Sequence, residues 1–175
     1  MSYNVLADRL ALAHRYTHTT RSILSLNYRG RRIIAEIRSS GADILCLQEI
    51  DRFSDFYEPM LKALGYETIY YGRPGIFRGE GIAIAYKAEE FNILETERIN
   101  FDDLINIYPD GGVFRTANQA MLCLFEHKAS GRKFIGGSTH LYFDPEKDFV
   151  KHAQAIYLLE RSAAFLRLHS NLNNL

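Results

Sequence analysis

Four short segments hold the residues whose types and settings suit phosphate chemistry. The first is SYNVLAD, residues 2–8. Asn4 stands where a strand gives way to a loop, and an amide there can donate to a phosphate or hold a metal ligand. The second is ADILCLQEID, residues 42–51, with Glu49 just past the carboxyl end of a short apolar strand. Ligand sites in α/β sheets sit at that edge. A carboxylate there suits Mg²⁺, which takes one or two protein carboxylates together with waters and substrate phosphate. Asp51 is a weaker candidate for the same task. The third is GEGIAIAYK, residues 79–87, followed later by Asn118 in NQAMLC; its glycines can admit close approach of a substrate backbone. The fourth is STHLYFDP, residues 138–145. His140 ends an apolar strand, where an imidazole can bind the oxygens of a transferring phosphoryl group. Tyr142 and Phe143 add aromatic faces on which the bases of a single strand can stack. Each segment alone has a plainer alternative: a turn asparagine, a solvated glutamate, a hairpin loop, a structural histidine, core aromatics.

The elements that must position these residues are legible from periodicity. Residues 2–6 read as the end of a strand, and residues 9–27 as a polar loop with some helix. A helix is expected over 29–40, with Ile33, Ile34 and Ile37 as its apolar stripe, arginines on the other face, and Gly41 as the stop. Residues 44–48 suit a strand buried on both faces. Tyr57, Met60, Leu61 and Leu64 mark a second helix over 54–64, with Pro59 tolerable only in its first turn. Residues 66–71, 82–86 and 91–99 are β-like, and 72–81 form a glycine-rich loop. Residues 100–118 look irregular, broken by Pro109 and the Gly111-Gly112 pair. Two strands, 119–127 and 133–139, flank a Ser130-Gly131 turn. The longest helix, 146–168, is expected to bury Phe149, Ala153, Ile156, Leu159, Ala163 and Leu166. Glu146 and Asp148 fall in its first turn, where the helix dipole favours them. The order implies a mixed, layered α/β domain.

Composition narrows the class. The chain has 175 residues, 47% of them hydrophobic and 24% charged, which suits one soluble globular domain. Lysine plus arginine equals aspartate plus glutamate, 21 each. That balance argues against a protein that coats duplex DNA but admits a nuclease gripping a few nucleotides with help from a metal. No apolar run approaches the ~20 residues that cross a bilayer, and the first 15 residues make a poor signal peptide. Cys46 and Cys123 each lie in an apolar run and read as buried thiols. With no Asn-x-Ser/Thr site, they fit a reducing intracellular compartment, the cytoplasm before others.

It is the order of the four segments that raises the case. SYNVLAD, LQEID, GIAIAYK, an Asn-x-Ala and THLYFDP together resemble the endonuclease/exonuclease/phosphatase superfamily. The similarity is to its deadenylase-like branch of carbon-catabolite-repressor deadenylases, nocturnin, angel and the mitochondrial 2′-phosphodiesterase. The resemblance runs from Ser2 to about Leu168. It implies a four-layered α/β sandwich with two central mixed sheets, incomplete here, as a single domain over residues 1–175 truncated at both ends. It also implies a Mg²⁺ ligand at Glu49 (with Mn²⁺ as a substitute) and an asparagine near metal and phosphate at Asn4. His140 matches the histidine that contacts the scissile phosphate, and Pro145 a proline that packs on the terminal base. Asn118 lies in a motif segment without a firm role. Asn4, Glu49 and His140 are expected to converge in space, at the carboxyl edges of strands from both sheets.

The departures are equally specific. Glu80 stands where the branch more often has aspartate. After the last helix the branch continues into an Asp-x-Asn strand and, much later, a Ser-Asp-His segment that supplies the general base. Neither occurs in these 175 residues. Three readings follow: a 3′ exoribonuclease of the poly(A)-deadenylase type, inactive as this fragment; a phosphodiesterase or phosphatase on a small nucleotide with a 2′-phosphate or 2′–5′ linkage; or a catalytically dead domain that binds RNA or protein. The expected partner is a single-stranded RNA 3′ end or a nucleotide, with no membrane.

Overall fold

A three-residue strand opens the computed structural model, which describes residues 1–74, 79–108 and 111–169. The strands are β1 (Ser2–Asn4), β2 (Ile44–Ile50), β3 (Tyr66–Gly72), β4 (Gly81–Lys87), β5 (Phe91–Asn100), β6 (Gln119–His127) and β7 (Lys133–His140). The α-helices are α1 (Arg21–Leu24), α2 (Leu26–Ser40), α3 (Glu58–Ala63) and α4 (Asp148–His169). The chain divides into two units, Met1–Gly72 with Arg78–Glu89, and Arg73–Phe77 with Glu90–Leu175.

The first unit holds a four-stranded sheet in the order β1-β2-β4-β3. β1 runs parallel to β2, and the other neighbours are antiparallel. α2 lays Leu26, Ile33, Ile34 and Ile37 on this sheet, against Leu45, Leu47, Ala83 and Ala85. Gly41 ends α2 in the left-handed conformation at φ 59°, as a helix-stopping glycine does. The second predicted helix begins earlier and wider, as a π-turn over Phe53–Tyr57, then continues as α3 with Pro59 at its start. Tyr57 and Leu61 are buried, whereas Met60 is 37% exposed. β2 alternates between buried and half-buried positions rather than being covered on both faces along its length.

The second unit holds an antiparallel sheet, β5-β6-β7, covered by α4 and by two 3₁₀ turns, Phe101–Asn106 and Gly111–Phe114. These turns occupy the segment expected to be irregular. α4 has the expected length, but of its expected stripe only Ala153 is buried. Val150, Ala153, Gln154 and Phe165 point inward, while Phe149, Ile156, Leu159 and Leu166 are 48%, 55%, 69% and 46% exposed. The helix is apolar on more than one side, so periodicity cannot choose its rotation. Polar contacts choose it: buried Gln154 and the Arg161–Glu97 ion pair fix the inward face. Residues 75–78 of the glycine-rich loop, Pro109 of the irregular segment and the tail after His169 lie outside the described residues. Among the described residues no helix is long and apolar enough to cross a membrane.

Two groups of candidate functional residues

Asn4 and Glu49 meet because β1 and β2 pair in parallel, with Asn4 level with Gln48. Asn4 Nδ2 donates to Glu49 Oε1 at 2.7 Å, and Asn4 Oδ1 accepts from the Leu6 amide at 3.0 Å. The Ala7 amide donates to Glu49 Oε2 at 3.1 Å. Glu49 does not follow the strand, as expected from sequence, but lies inside it at a β-bulge. The register against β4 slips between Gln48 and Ile50, and Glu49 adopts φ 60°. A bulge re-aims a side chain and raises local twist; here it turns the carboxylate toward the loop after β1. That loop carries its own left-handed residue, Leu6, at φ 56°. Two non-glycine residues in this conformation, one on each side of the Asn4–Glu49 bond, mark a place where the surrounding structure holds an unfavourable backbone.

What holds it is Arg29. Its side chain is 14% exposed. Nη1 donates to the carbonyls of Val5 and Leu6 at 3.0 and 2.9 Å, Nε to that of Leu24 at 2.6 Å, and Nη2 reaches Asp8 Oδ1 at 3.4 Å. The expectation that the arginines of α2 all face away from its apolar stripe is therefore corrected for Arg29. The signal was present: Arg29 lies four residues before Ile33 and three after Leu26, on the edge of the buried face. Further along the loop, the Arg9 amide donates to Asp51 Oδ2 at 3.0 Å, and Arg9 Nη2 pairs with Glu80 Oε1 at 3.1 Å. Glu80 is thus a buried ion-pair partner of the loop. Burial pushes the Asp51 carboxyl above its ordinary range; the Arg9 amide opposes this and neighbouring Asp8 adds to it. Gly81 admits close approach as expected, but of β3: a Cβ there would run into the Tyr71 carbonyl oxygen.

His140, Asn118, Phe143 and Pro145 form the second group. His140 is the last residue of β7. Asn118 is 5% exposed, and its Nδ2 donates to the His140 carbonyl at 2.8 Å. Its amide therefore holds the backbone that carries His140. Ala117 beside it has φ 53°. That strained turn is gripped from three sides. Asp102 Oδ1 accepts from the Thr116 and Ala117 amides at 2.9 and 2.8 Å. Arg73 donates to the Thr116 and Ala117 carbonyls at 2.7 and 3.1 Å. Fully buried Gln154 donates to Thr116 Oγ1 at 3.0 Å and accepts from the Tyr142 amide at 2.9 Å. Gln154 thereby ties the Asn118 turn to the loop after His140. In that loop Phe143 is 80% exposed, with its ring 5.4 Å from that of Tyr142. Asp144 caps a short 3₁₀ turn that starts at Pro145. Arg73, Asp102 and Gln154 escaped the sequence reading, because a residue that grips backbone leaves no spacing motif.

The signature of the endonuclease/exonuclease/phosphatase family matches residues 1–145. The chain belongs to this family. Family relatives include the CCR4-Not complex 3′-5′-exoribonuclease subunit Ccr4 of Neurospora crassa, 32% identical over 91% of this chain and 22% of the relative. Another is the carbon catabolite repressor protein 4 homolog 4 of Arabidopsis thaliana, 30% identical over 98% of this chain and 48% of the relative. The chain thus spans less than half the length of these relatives. Among solved structures it resembles ANGEL2, a 2′,3′-cyclic phosphatase, with a TM-score of 0.78 and 30% identity over 88% of this chain and 43% of that one. The human nocturnin catalytic domain shares the fold, with a TM-score of 0.75 at 24% identity over 98% of this chain and 58% of that domain. The expected α/β fold with two sheets is therefore the family's, and the kinship to deadenylase-like and angel-type proteins holds.

Family enzymes generally use divalent metals, and the residues fit a sparse site. Among the described residues no group of three or more histidine, cysteine, aspartate or glutamate side chains could hold a metal. Mg²⁺ needs less: one or two carboxylates suffice when waters and phosphate complete the shell. A carboxylate accepts at about four lone-pair positions, so the hydrogen bonds that fix Glu49 are compatible with ligation. Asp51 Oδ1, a buried oxygen with no hydrogen bond, is a second hard donor two residues away.

Proposed function

We propose that this chain carries the metal-holding and phosphate-contacting residues of a Mg²⁺-dependent phosphodiesterase that removes nucleotides from the 3′ end of poly(A)-like RNA. The observation that carries the reading is the Glu49 carboxylate, turned out of β2 by a left-handed bulge and fixed by Asn4 and the Ala7 amide. A backbone of that cost serves to aim a side chain. Mg²⁺ or Mn²⁺ held by Glu49 would supply polarisation of a phosphate oxygen and stabilisation of charge on the leaving 3′ oxygen.

The chain's own groups do the rest. Asn4 keeps the carboxylate in one orientation. The His140 imidazole donates to a non-bridging oxygen of the scissile phosphate as negative charge grows there. Asn118 positions His140 through its carbonyl, beside the substrate it is expected to help hold. Phe143, exposed beside Tyr142, stacks on the terminal base, and Pro145 packs next to it. The general base and the group that orients the attacking water belong to the Asp-x-Asn and Ser-Asp-His segments of the branch, which these 175 residues lack. The isolated chain is accordingly proposed to be a single family domain without turnover of its own. Its free thiols, Cys46 and Cys123, accord with an intracellular, cytoplasmic setting.

One observation favours a second substrate. ANGEL2, at 29–30% identity, is a 2′,3′-cyclic phosphatase and has been seen with adenosine-2′,3′-vanadate. A small nucleotide with a 2′-phosphate or 2′–5′ linkage is the alternative. The experiment is a Mg²⁺ titration of the 175-residue chain followed by amide NMR. The expected result is millimolar binding, with shifts at Asn4, Ala7 and Glu49 that disappear in Glu49→Gln. Identical titrations of the two proteins would remove Glu49 from the metal site. Competition between oligo(A) and adenosine 2′,3′-cyclic phosphate then separates the two substrates.

A further inference from the structure

The charge of this neutral chain is unevenly placed. Residues 1–42 contain seven arginines, no lysine and only two acidic residues, Asp8 and Glu36. Both acids are engaged: Asp8 accepts from Arg29, and Glu36 accepts from the Tyr3 hydroxyl at 2.8 Å. Of the arginines, Arg29 is buried in the loop clamp and Arg9 is paired with Glu80. The other five, Arg15, Arg21, Arg31, Arg32 and Arg38, are exposed, and among the described residues none has a carboxylate partner.

Their placement is ordered. On α2 the buried stripe is Leu26, Gly30, Ile33, Ile34 and Ile37. At 100° per residue, Tyr28 and Arg32 fall on the opposite side, and Arg31 and Arg38 flank it along one exposed edge. Arg31 and Arg38 are two turns apart, roughly 10 Å along the axis. The Arg32 guanidinium lies over the Tyr28 ring at 4.8 Å, and that ring is 41% exposed. One turn before Tyr28, Ser25 belongs to the wall of an open cleft of about 430 Å³, which is also lined by Asp8, Leu12, His14 and Arg21. The cleft begins at the loop that follows Asn4. Cations with no internal carboxylate partner, spaced along a rigid helix and interleaved with an aromatic ring, have the composition of a single-strand track. Arginine alone, without lysine, adds the planar fork that pairs two-fold with phosphate.

We infer that the outer face of α2, with the His14–Arg21 cleft, is a binding track for the sugar-phosphate backbone of single-stranded RNA. The track holds nucleotides remote from the one at Glu49, so it selects chain length rather than the terminal base. This rests on the RNA reading of the site and adds to it a surface outside the catalytic residues. It also resolves the apparent conflict between a neutral chain and a nucleic-acid substrate: the neutral total conceals an excess of five positive charges in the first 42 residues.

The test compares wild type with Arg31→Gln/Arg32→Gln/Arg38→Gln, all three solvent-facing, for a 20-nucleotide oligo(A) and for AMP over a range of salt. Each phosphate contact on a single strand contributes about 0.7 to the slope of log affinity against log salt. The triple variant is expected to lower that slope by about 2 and to weaken 20-mer binding at least tenfold at 0.1 M salt. AMP binding should not change. Circular dichroism and the unfolding midpoint check that the variant is folded. A second variant, Arg132→Gln on the β6–β7 hairpin, should leave 20-mer affinity as it was. Equal 20-mer affinity and slope in wild type and triple variant would overturn the track. So would retention of phosphatidylserine vesicles in preference to the 20-mer, because the face would then serve a lipid surface. If the triple variant loses the 20-mer while AMP fails to bind wild type with Mg²⁺, the track stands and the nuclease reading of the Glu49 site falls.

Discussion

Glu49 holds a left-handed backbone at φ 60° inside a strand, a conformation that costs a non-glycine residue about 1–2 kcal/mol. Two hydrogen bonds to its carboxylate offset part of that cost. Stability and function therefore separate at this position. Glu49→Ala removes the hydrogen bonds and keeps the strain, whereas Glu49→Gly removes both. The glycine variant should be more stable than the alanine variant by about 1 kcal/mol, with both losing metal affinity alike. Urea unfolding of the two proteins checks this; an alanine variant equal to or more stable than the glycine variant would show that the bulge is not strained. The chemical type of the residue was legible, since LQE at the end of an apolar run identifies a carboxylate at a sheet edge. The bulge was not, because the apolar run ILCL has no alternation that a slip of register would break. Asn118 shows the same division. Its segment was recognisable, but its task of holding the His140 carbonyl depends on pairing between β6 and β7.

Among the elements, α2 and α4 make opposite cases. α2 has one apolar stripe and one charged face, so Ile33, Ile34 and Ile37 were placed correctly from spacing alone. α4 is apolar around much of its circumference, and of the stripe chosen from spacing only Ala153 is buried. The observed rotation predicts contrasting mutational costs. Phe165 is 3% exposed and packs among Ile99, Phe101 and Leu122, so Phe165→Ala should cost about 3–5 kcal/mol. Leu159, at 69% exposure, should cost about 0.5 kcal/mol or less on truncation to alanine. Thermal unfolding of the two variants decides it; the reverse order would restore the stripe read from spacing. What sets the rotation is polar. Gln154 must reach both Thr116 and the Tyr142 amide, and Arg161 must reach Glu97. Patterns of apolar residues cannot register such requirements, because the partners are contributed by segments 12 to 64 residues away.

At the scale of the whole chain, the family, the two sheets and the order of elements were legible because the motifs fall at strand ends in a fixed order. What the 175 residues do on their own is a separate matter. They contain a carboxylate suited to Mg²⁺, the asparagine that fixes it, and a histidine at a strand end. They contain no Asp-x-Asn pair and no Ser-Asp-His segment. Of the six histidines, His14 and His18 lie in the loop before α1, His127 is bonded to Ser130 in a hairpin, and His152 and His169 are on α4. None stands in a motif that replaces the general base, whose loss alone lowers a rate by about 10²–10⁴-fold. The purified chain, incubated with 3′-labelled and 5′-labelled oligo(A) in Mg²⁺, is therefore expected to release no nucleotide in a Glu49-dependent manner. Glu49→Ala is the control that identifies release by a contaminating nuclease, which it would leave unchanged. Stepwise shortening from the 3′ end that Glu49→Ala abolishes would show that these residues suffice for turnover. The attacking water would then have to be activated within the chain, and His140 would have to serve as base rather than as a phosphate donor. His140→Gln would distinguish that role, because the amide can still donate to a phosphate oxygen but cannot serve as a base.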